Sequence, residues 1–202
     1  MLNLIAGLLV AYLLGSISFA VIVSRFSGLA DPRTYGSKNP GATNVLRSGN
    51  KKAAILTLLG DAIKGTVAVA IAYHFQDALN YSQGDVAFIG LAAFIGHLYP
   101  IFFKFEGGKG VATALGVLLA LNWVLGLATA ATWLIIAYFF RYSSLAALIS
   151  AVFAVFYDAL LFGIQPETAA ITVMSALLIY RHRQNISNLI AGKESKIGQK
   201  KS

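Results

Sequence analysis

The stretch VATALGVLLALNWVLGLATAATWLIIAYFF, residues 111–140, decides how the chain is threaded. It holds 30 residues without a charge, more than the roughly 20 that cross a bilayer once. Lys109 lies just before it and Arg141 just after it. If both cations face the same side, the stretch crosses twice or not at all. A turn at LNW (121–123) would divide it into two spans, the first of them short. The alternative is a re-entrant first segment whose N-terminus faces a site. Two crossings give seven spans in all; if the short segment does not fully cross, parity removes both and leaves five.

The rest of the chain supports a membrane reading. Of 202 residues, 57% are hydrophobic and 12% charged, with mean hydropathy +0.71. That is about half the charge of a soluble domain, and several apolar runs of about 20 residues point to an all-α integral membrane protein. The first run, residues 2–23, has no basic leader and reads as a retained span, not a signal peptide. The chain has no cysteine, which excludes a disulfide framework, a thiol nucleophile and a thiolate metal site.

Sidedness follows from charge. All sixteen lysines and arginines can be placed on one face. HFQDALNYSQGD (74–85) and YDALLFGIQPE (157–167) contain none and carry Asp77, Asp85, Asp158 and Glu167. The basic face is therefore expected to be cytoplasmic, with the N-terminus outside and the C-terminus inside. Spans are expected at about 3–23, 53–73 and 86–103, in the two halves of 111–140, and at about 144–163 and 168–182. Cytoplasmic loops then cover about 24–52, 104–110 and 141–143, with a tail at 183–202, all within one polytopic domain, 1–202. The net charge of +8 reads as topology and attraction to anionic lipid of the bilayer, not as nucleic-acid binding.

Three polar stretches fall on this face. DPRTYGSKNPGATNVLR (31–47) offers Ser37, Asn39, Thr43 and Asn44 between turn residues, with an arginine near each end. Arg47 stands out because a guanidinium binds phosphate in bidentate fashion; an ordinary polar loop has a similar composition. In GDAIKG (60–65), Asp61 and Lys64 are helical neighbours able to pair. An ionisable pair at the edge of a span is a functional candidate, and a snorkelling lysine is the plainer alternative.

The third stretch is GHLYPIFFKFEGGKGVAT (96–113). Gly107, Gly108 and Gly110 allow close backbone approach and an inward nest of N–H groups. The helix that follows, beginning near Val111 and Ala112, points its positive end at the same anion, Lys109 adds a charge and Thr113 a hydroxyl. The order of residues is not that of a nucleotide-binding G-x-x-x-x-G-K-[ST] loop. His97 reads either as a packed hydrogen-bonding residue or as a base. Asn185, in YRHRQNISNL (180–189), has no topological explanation.

Other chemistries lack their residues. The cytoplasmic-side acids Asp31, Asp61, Glu106 and Glu194 are scattered and form no paired motif, so no metal and no cofactor are expected. H-x-x-x-x-D and G-x-S-x-G are both absent, which disfavours a covalent acyl-enzyme. What remains is a pocket that binds one or two phosphates and positions them. A phosphate or phospho-ester transporter competes with an enzyme here, but the outer halves of the spans are almost free of charge.

GSIS (15–18), DPRTYGSKNPGATNVLR, DAIKG (61–65), GHLYPIFFKFEGGKGVAT and YRHRQNI (180–186) occur together, in order, over nearly the whole chain. Jointly they resemble the bacterial acyl-phosphate:glycerol-3-phosphate acyltransferase family (PlsY). The resemblance implies acyl transfer from acyl phosphate to the 1-hydroxyl of sn-glycerol 3-phosphate, giving lysophosphatidic acid and phosphate, the first step of phospholipid biosynthesis. It implies seven transmembrane helices in the bacterial inner membrane, a cytoplasmic active site, and no use of acyl-CoA or acyl carrier protein. The acyl-phosphate synthase that supplies the donor is an implied partner. Carried over from the family, Ser37 and Arg47 hold glycerol 3-phosphate, with Asn39 and Asn44 shaping the loop and Lys64 expected to bind the same substrate. Gly107, Gly108, Lys109, Gly110, Val111, Ala112 and Thr113 cradle the donor phosphate. Ser37, Arg47, Lys109, His97 and Asn185 are the expected catalytic set.

Overall fold

The structure, a computed structural model, describes residues 1–198; the end of the expected tail, with Lys200 and Lys201, lies outside them. The described residues form helices and connecting turns, with no strand. The helices are α1 (Leu2–Gly15), α2 (Phe19–Phe26), α3 (Ala42–Leu46), α4 (Lys51–His74), α5 (Gln76–Leu79), α6 (Gln83–Leu98), α7 (Val111–Leu121), α8 (Trp123–Phe140), α9 (Ser143–Phe162), α10 (Pro166–Arg181) and α11 (Arg183–Ile190). A 3-10 turn, Ile101–Phe103, extends α6.

Five segments are long and apolar enough to cross a membrane: Leu2–Phe26, Lys51–His74, Gln83–Phe103, Trp123–Phe140 and Ser143–Phe162. The 30-residue stretch divides at Asn122, where the sequence placed its turn. Asn122 leaves α7 in an extended conformation, and its Oδ1 accepts from the N–H groups of Val124 and Leu125 at 2.9 and 3.3 Å, starting α8. One short span was expected, but two helices are short: α7 has 11 residues and α10 has 16. The first span is also not continuous. It breaks between Gly15 and Phe19, where Ser16 Oγ turns back to the Tyr12 carbonyl at 2.8 Å. The loop at 24–52 likewise contains a helix, α3.

Close approach of backbones, rather than large side chains, fixes the core, as expected where lipid removes the hydrophobic drive between helices. A β-carbon at Gly15 would sit 1.9 Å from the Ala93 carbonyl oxygen, so α1 rests directly on α6. A β-carbon at Gly116 would meet the Ala62 carbonyl oxygen at 2.0 Å, which lays α7 against α4.

The α4–α7 pairing positions the site. Thr113 near the start of α7 lies against Gly65 of α4, and at its end the Leu121 carbonyl accepts from Tyr73 Oη at 3.4 Å. Tyr73 also bonds Gln83 at the start of α6, 3.1 Å away. At about 1.5 Å per residue, Gly65 lies about 21 Å from the Lys51 end of α4. The helix α7 is therefore short because it begins deep in the bundle. α10 is short at the same level, ending where Arg181 meets the Gly107–Gly108 turn.

Candidate active site

The glycine loop sits between the end of α6 and the start of α7, folded back on α6. Gly108 N–H donates to the His97 carbonyl at 3.1 Å, and a β-carbon at Gly107 would overlap that same oxygen at 2.2 Å. On the far side, Arg181 donates from Nη2 to the Gly107 carbonyl at 2.9 Å and from Nε to the Gly108 carbonyl at 3.2 Å. Its guanidinium also stacks over Tyr99, 5.3 Å from the ring centre. Gly110 then caps α7 with φ +86, a left-handed conformation that costs an L side chain about 1–2 kcal/mol.

One amide of the expected nest, Gly108, is thus spent inside the protein. The N–H groups of Lys109, Gly110, Val111, Ala112 and Thr113 donate to no protein acceptor among the described residues. They lie at the N-terminal end of an eleven-residue helix, where the helix dipole favours an anion. The Thr113 side chain is fully buried, and its hydroxyl has no hydrogen-bond partner among the described residues.

Lys109 is held by a chain of polar contacts. Its Nζ donates to Asn185 Oδ1 at 2.5 Å, and Asn185 Nδ2 donates to Glu194 Oε1 at 2.6 Å. Ser144 Oγ donates to the same carboxylate oxygen at 2.6 Å, and Asn188 Nδ2 to the other at 3.4 Å. Asn185, which topology did not explain, is the direct partner of the loop lysine. Burial lowers the Lys109 pKa to about 8, partly offset by Glu194 and reinforced by the nearby charges of Arg47 and Arg181. The site is therefore electropositive, with its ammonium already poised near neutrality.

Loop 31–47 lies against this centre. Asn44 organises it: Nδ2 donates to the carbonyls of Pro32 and Tyr35 at 2.7 and 3.1 Å, and Oδ1 accepts from Ser37 N–H at 3.0 Å. Ser37 and Arg47 are exposed, and Asn39 is partly buried near Gly41. The Pro40 carbonyl oxygen would lie 3.0 Å from a β-carbon on Gly108, so the loop touches the glycine turn itself. Beyond the site, Asp31 and Arg33 form a partly exposed ion pair at 2.7 Å. The Arg33 hydrogen bond holds the Asp31 carboxyl below the usual carboxylate range.

Lys64 and His97 sit beneath the loop. Lys64 Nζ donates to the Ile17 carbonyl at 2.7 Å and bonds His97 Nδ1 at 2.9 Å; Asp61 Oδ1 lies 2.9 Å away. Asp61, Lys64 and His97 are all buried. Lys64 is thus held by two hydrogen bonds and an ion pair, and the same Asp61 Oδ1 lies 3.5 Å from His97 Nδ1.

A sequence profile described as glycerol-3-phosphate acyltransferase matches residues 5–192. The chain belongs to the glycerol-3-phosphate acyltransferase family. Proteins named glycerol-3-phosphate acyltransferase from Ralstonia nicotianae and Herminiimonas arsenicoxydans are 70% and 68% identical over 191 residues. Those alignments cover 95% of this chain, and 92% and 93% of the relatives. The crystal structure of PlsY, an integral membrane glycerol 3-phosphate acyltransferase, in its glycerol 3-phosphate form matches with TM-score 0.89 at 39% identity, over 96% of each chain. The lysophosphatidic acid form of PlsY matches with TM-score 0.87 at 38% identity, over 96% of this chain and 95% of that one.

Sequence reading of this acyltransferase missed three contributors. Arg181 was read as a positive-inside anchor, and its grip on the loop carbonyls comes only from the end of α10 reaching the loop's depth. Glu194 and Ser144 are 50 residues apart and meet only because the tail crosses the start of α9. The one available signal was Asn185 itself, an amide in a run of cations with no topological reason to be there.

Proposed function

We propose that the chain transfers an acyl group from acyl phosphate to the 1-hydroxyl of sn-glycerol 3-phosphate, releasing phosphate and 1-acyl-glycerol 3-phosphate. The observation that carries this is the run of unpaired amides from Lys109 to Thr113, with the Lys109 ammonium beside them, in a chain of this family. The PlsY neighbours, solved as glycerol 3-phosphate and lysophosphatidic acid forms, support the same acceptor and product here.

In this reading the amides of 109–113 hold the donor phosphate, and Lys109 neutralises charge on either phosphate. Ser37 and Arg47 hold glycerol 3-phosphate, and Asn44 keeps their loop in shape. An apolar cavity lined by Val111, Leu115, Leu118, Trp133, Met174 and Leu178 adjoins the first turns of α7 and supplies greasy surface beside the donor phosphate. The acyl chain lies along the lipid-facing side of this wall.

The acceptor oxygen attacks the acyl carbonyl, the C–O bond to phosphate breaks, and the hydroxyl proton passes to a phosphate oxygen of the substrates. A mixed anhydride is already activated, so orientation of the two reactants carries most of the catalysis, aided by amides aimed at the developing oxyanion. The site faces the cytoplasm of the inner membrane, with seven spans, the N-terminus outside and the C-terminus inside.

The test is phosphate release by purified protein with glycerol 3-phosphate and palmitoyl phosphate, without added metal, beside a reaction given palmitoyl-CoA. Release only with palmitoyl phosphate, and only with glycerol 3-phosphate present, is expected. Turnover with palmitoyl-CoA alone would refute the donor, and turnover with neither would refute the enzyme.

A further inference from the structure

We infer that Asp61, Lys64 and His97 form a positioning unit that fixes the Gly107–Gly108 peptide, and that none of the three binds substrate or moves its proton. This rests on the reading of residues 109–113 as the donor-phosphate site.

The unit begins at the break in the first span. Between α1 and α2 the half-buried Ile17 carbonyl receives no backbone N–H among the described residues, and a carbonyl held away from water needs a donor. Lys64 supplies it from α4 at 2.7 Å. The same ammonium reaches His97 Nδ1 on α6 at 2.9 Å and pairs with Asp61 at 2.9 Å. One buried cation thus ties together three separate segments, with a carboxylate to balance its charge.

The hydrogen-bond pattern assigns the state of His97. As an ammonium, paired with Asp61, Lys64 can only donate, so Nδ1 accepts at 2.9 Å and the ring carries its hydrogen on Nε2, with Asp61 Oδ1 standing 3.5 Å from the same Nδ1. The one lone pair a neutral imidazole offers is therefore occupied. A general base needs a free lone pair within reach of the hydroxyl proton, and His97 has none while Lys64 stays in place.

Nε2 lies at the glycine loop. A β-carbon on Gly108 would be 2.1 Å from it, so the ring fills the space a side chain at 108 would take. The His97 carbonyl accepts the Gly108 N–H, and Arg181 grips the two carbonyls of the turn from the other side. The imidazole is one jaw of a vice and Arg181 the other. The consecutive run of free amides begins at the next residue, Lys109, so its direction is inherited from this peptide. Displacement of reacting groups by about 1 Å costs about 10²-fold in rate, which makes the jaw functional without contact with substrate.

The experiment is a double-mutant cycle on full-length protein, with kcat, KM for palmitoyl phosphate, a pH–rate profile and the unfolding midpoint measured for each variant. Gly108→Ala drives a methyl onto Nε2 and is expected to lower kcat/KM at least 100-fold. His97→Ala empties that space, and His97→Ala/Gly108→Ala is expected to recover at least tenfold over Gly108→Ala alone. His97→Asn, whose amide oxygen can still accept from Lys64, is expected to lose less than tenfold in kcat and to keep the wild-type pH profile. His97→Leu, which cannot accept, is expected to raise the KM for palmitoyl phosphate at least tenfold.

Strictly additive losses at 97 and 108 would overturn the proposal. So would a fall of 100-fold or more in the kcat of His97→Asn with unchanged KM and loss of an acidic limb, the signature of a base. If His97→Leu does not fold, the cycle at 97 and 108 still decides. A wild-type protein inactive with palmitoyl phosphate would refute the functional reading instead, so the two failures are distinguishable.

Discussion

Lys109 gives the site a pH dependence whose size can be worked out. Its pKa is lowered from 10.5 to about 8, chiefly by burial. If the ammonium must be present to receive a phosphate, the competent fraction is about 90% at pH 7 and about 10% at pH 9. The kcat/KM should therefore fall about tenfold between those values. The second ionisation of a phosphate monoester has its midpoint near pH 6 and is about 90% complete by pH 7, so it adds little to this limb above pH 7. Unfolding does not imitate it. Between pH 8 and 10.5 the unfolded chain binds more protons at this residue than the folded one, so its contribution to stability rises with pH across that window. Activity and folding must then move in opposite directions, at least where Lys109 dominates. The assay is phosphate release from pH 6 to 10, with the unfolding midpoint measured at each pH. Lys109→Arg keeps the charge throughout, because a guanidinium does not titrate in this range. Its rate will be lower, since a planar fork replaces a point donor at 2.5 Å from Asn185, but its profile should be flat through pH 9. A wild-type profile flat to pH 10, or a Lys109→Arg profile with the same limb near 8, would refute the reasoning.

Other outcomes follow from the same geometry. Glu194→Gln removes the charge that favours the Lys109 ammonium, so the alkaline limb should move below pH 8 and kcat/KM should fall at least tenfold. Asp61→Asn leaves Lys64 buried without its counter-charge, which should cost about 3–5 kcal/mol in a thermal or denaturant unfolding measurement. Asp31→Asn breaks an ion pair whose side chains remain 31% and 29% exposed, and should cost less than about 1 kcal/mol in the same measurement. Gly110→Ala combines a left-handed backbone with a β-carbon 2.2 Å from the Phe94 ring; strain and overpacking together should cost about 2–5 kcal/mol.

Much of the fold was legible because membrane threading is governed by charge and length, which sequence displays directly. Lys109 and Arg141 bracket the long apolar run, and its helix break falls at LNW, where a turn was expected. The break at GSIS was not legible as a break: the run stays apolar through Ile17, and the residue that compensates its carbonyl is Lys64, 47 positions away. The glycine loop announced itself by composition, yet composition did not show that Gly108 N–H bonds inward to the His97 carbonyl. Lys64 read as a ligand and His97 as a candidate base because both are polar residues near a phosphate loop. Their contact across 33 positions turns each into the other's partner. Long-range pairing of this kind leaves no local pattern, and it is where sequence reasoning stopped.

The span count has a sharp test in the one short helix that begins inside the bundle. α7 covers about 16 Å, too little for a hydrocarbon core of about 30 Å if it starts at the membrane surface. It starts beside Gly65, however, and ends on Tyr73, which also bonds Gln83 at the opening of α6. Trp123, 68% exposed just past that end, must then share the sidedness of Gln83, whichever face that is. Because the chain has no cysteine, single cysteines report cleanly. Trp123→Cys and Gln83→Cys should both react with a membrane-impermeant maleimide on intact cells, whereas Ser48→Cys should react only after permeabilisation. Seven crossings require that pattern. If Trp123→Cys follows Ser48→Cys instead, α7 and α8 form a re-entrant pair, the count falls to five, and the Tyr73 contact at Leu121 is wrong.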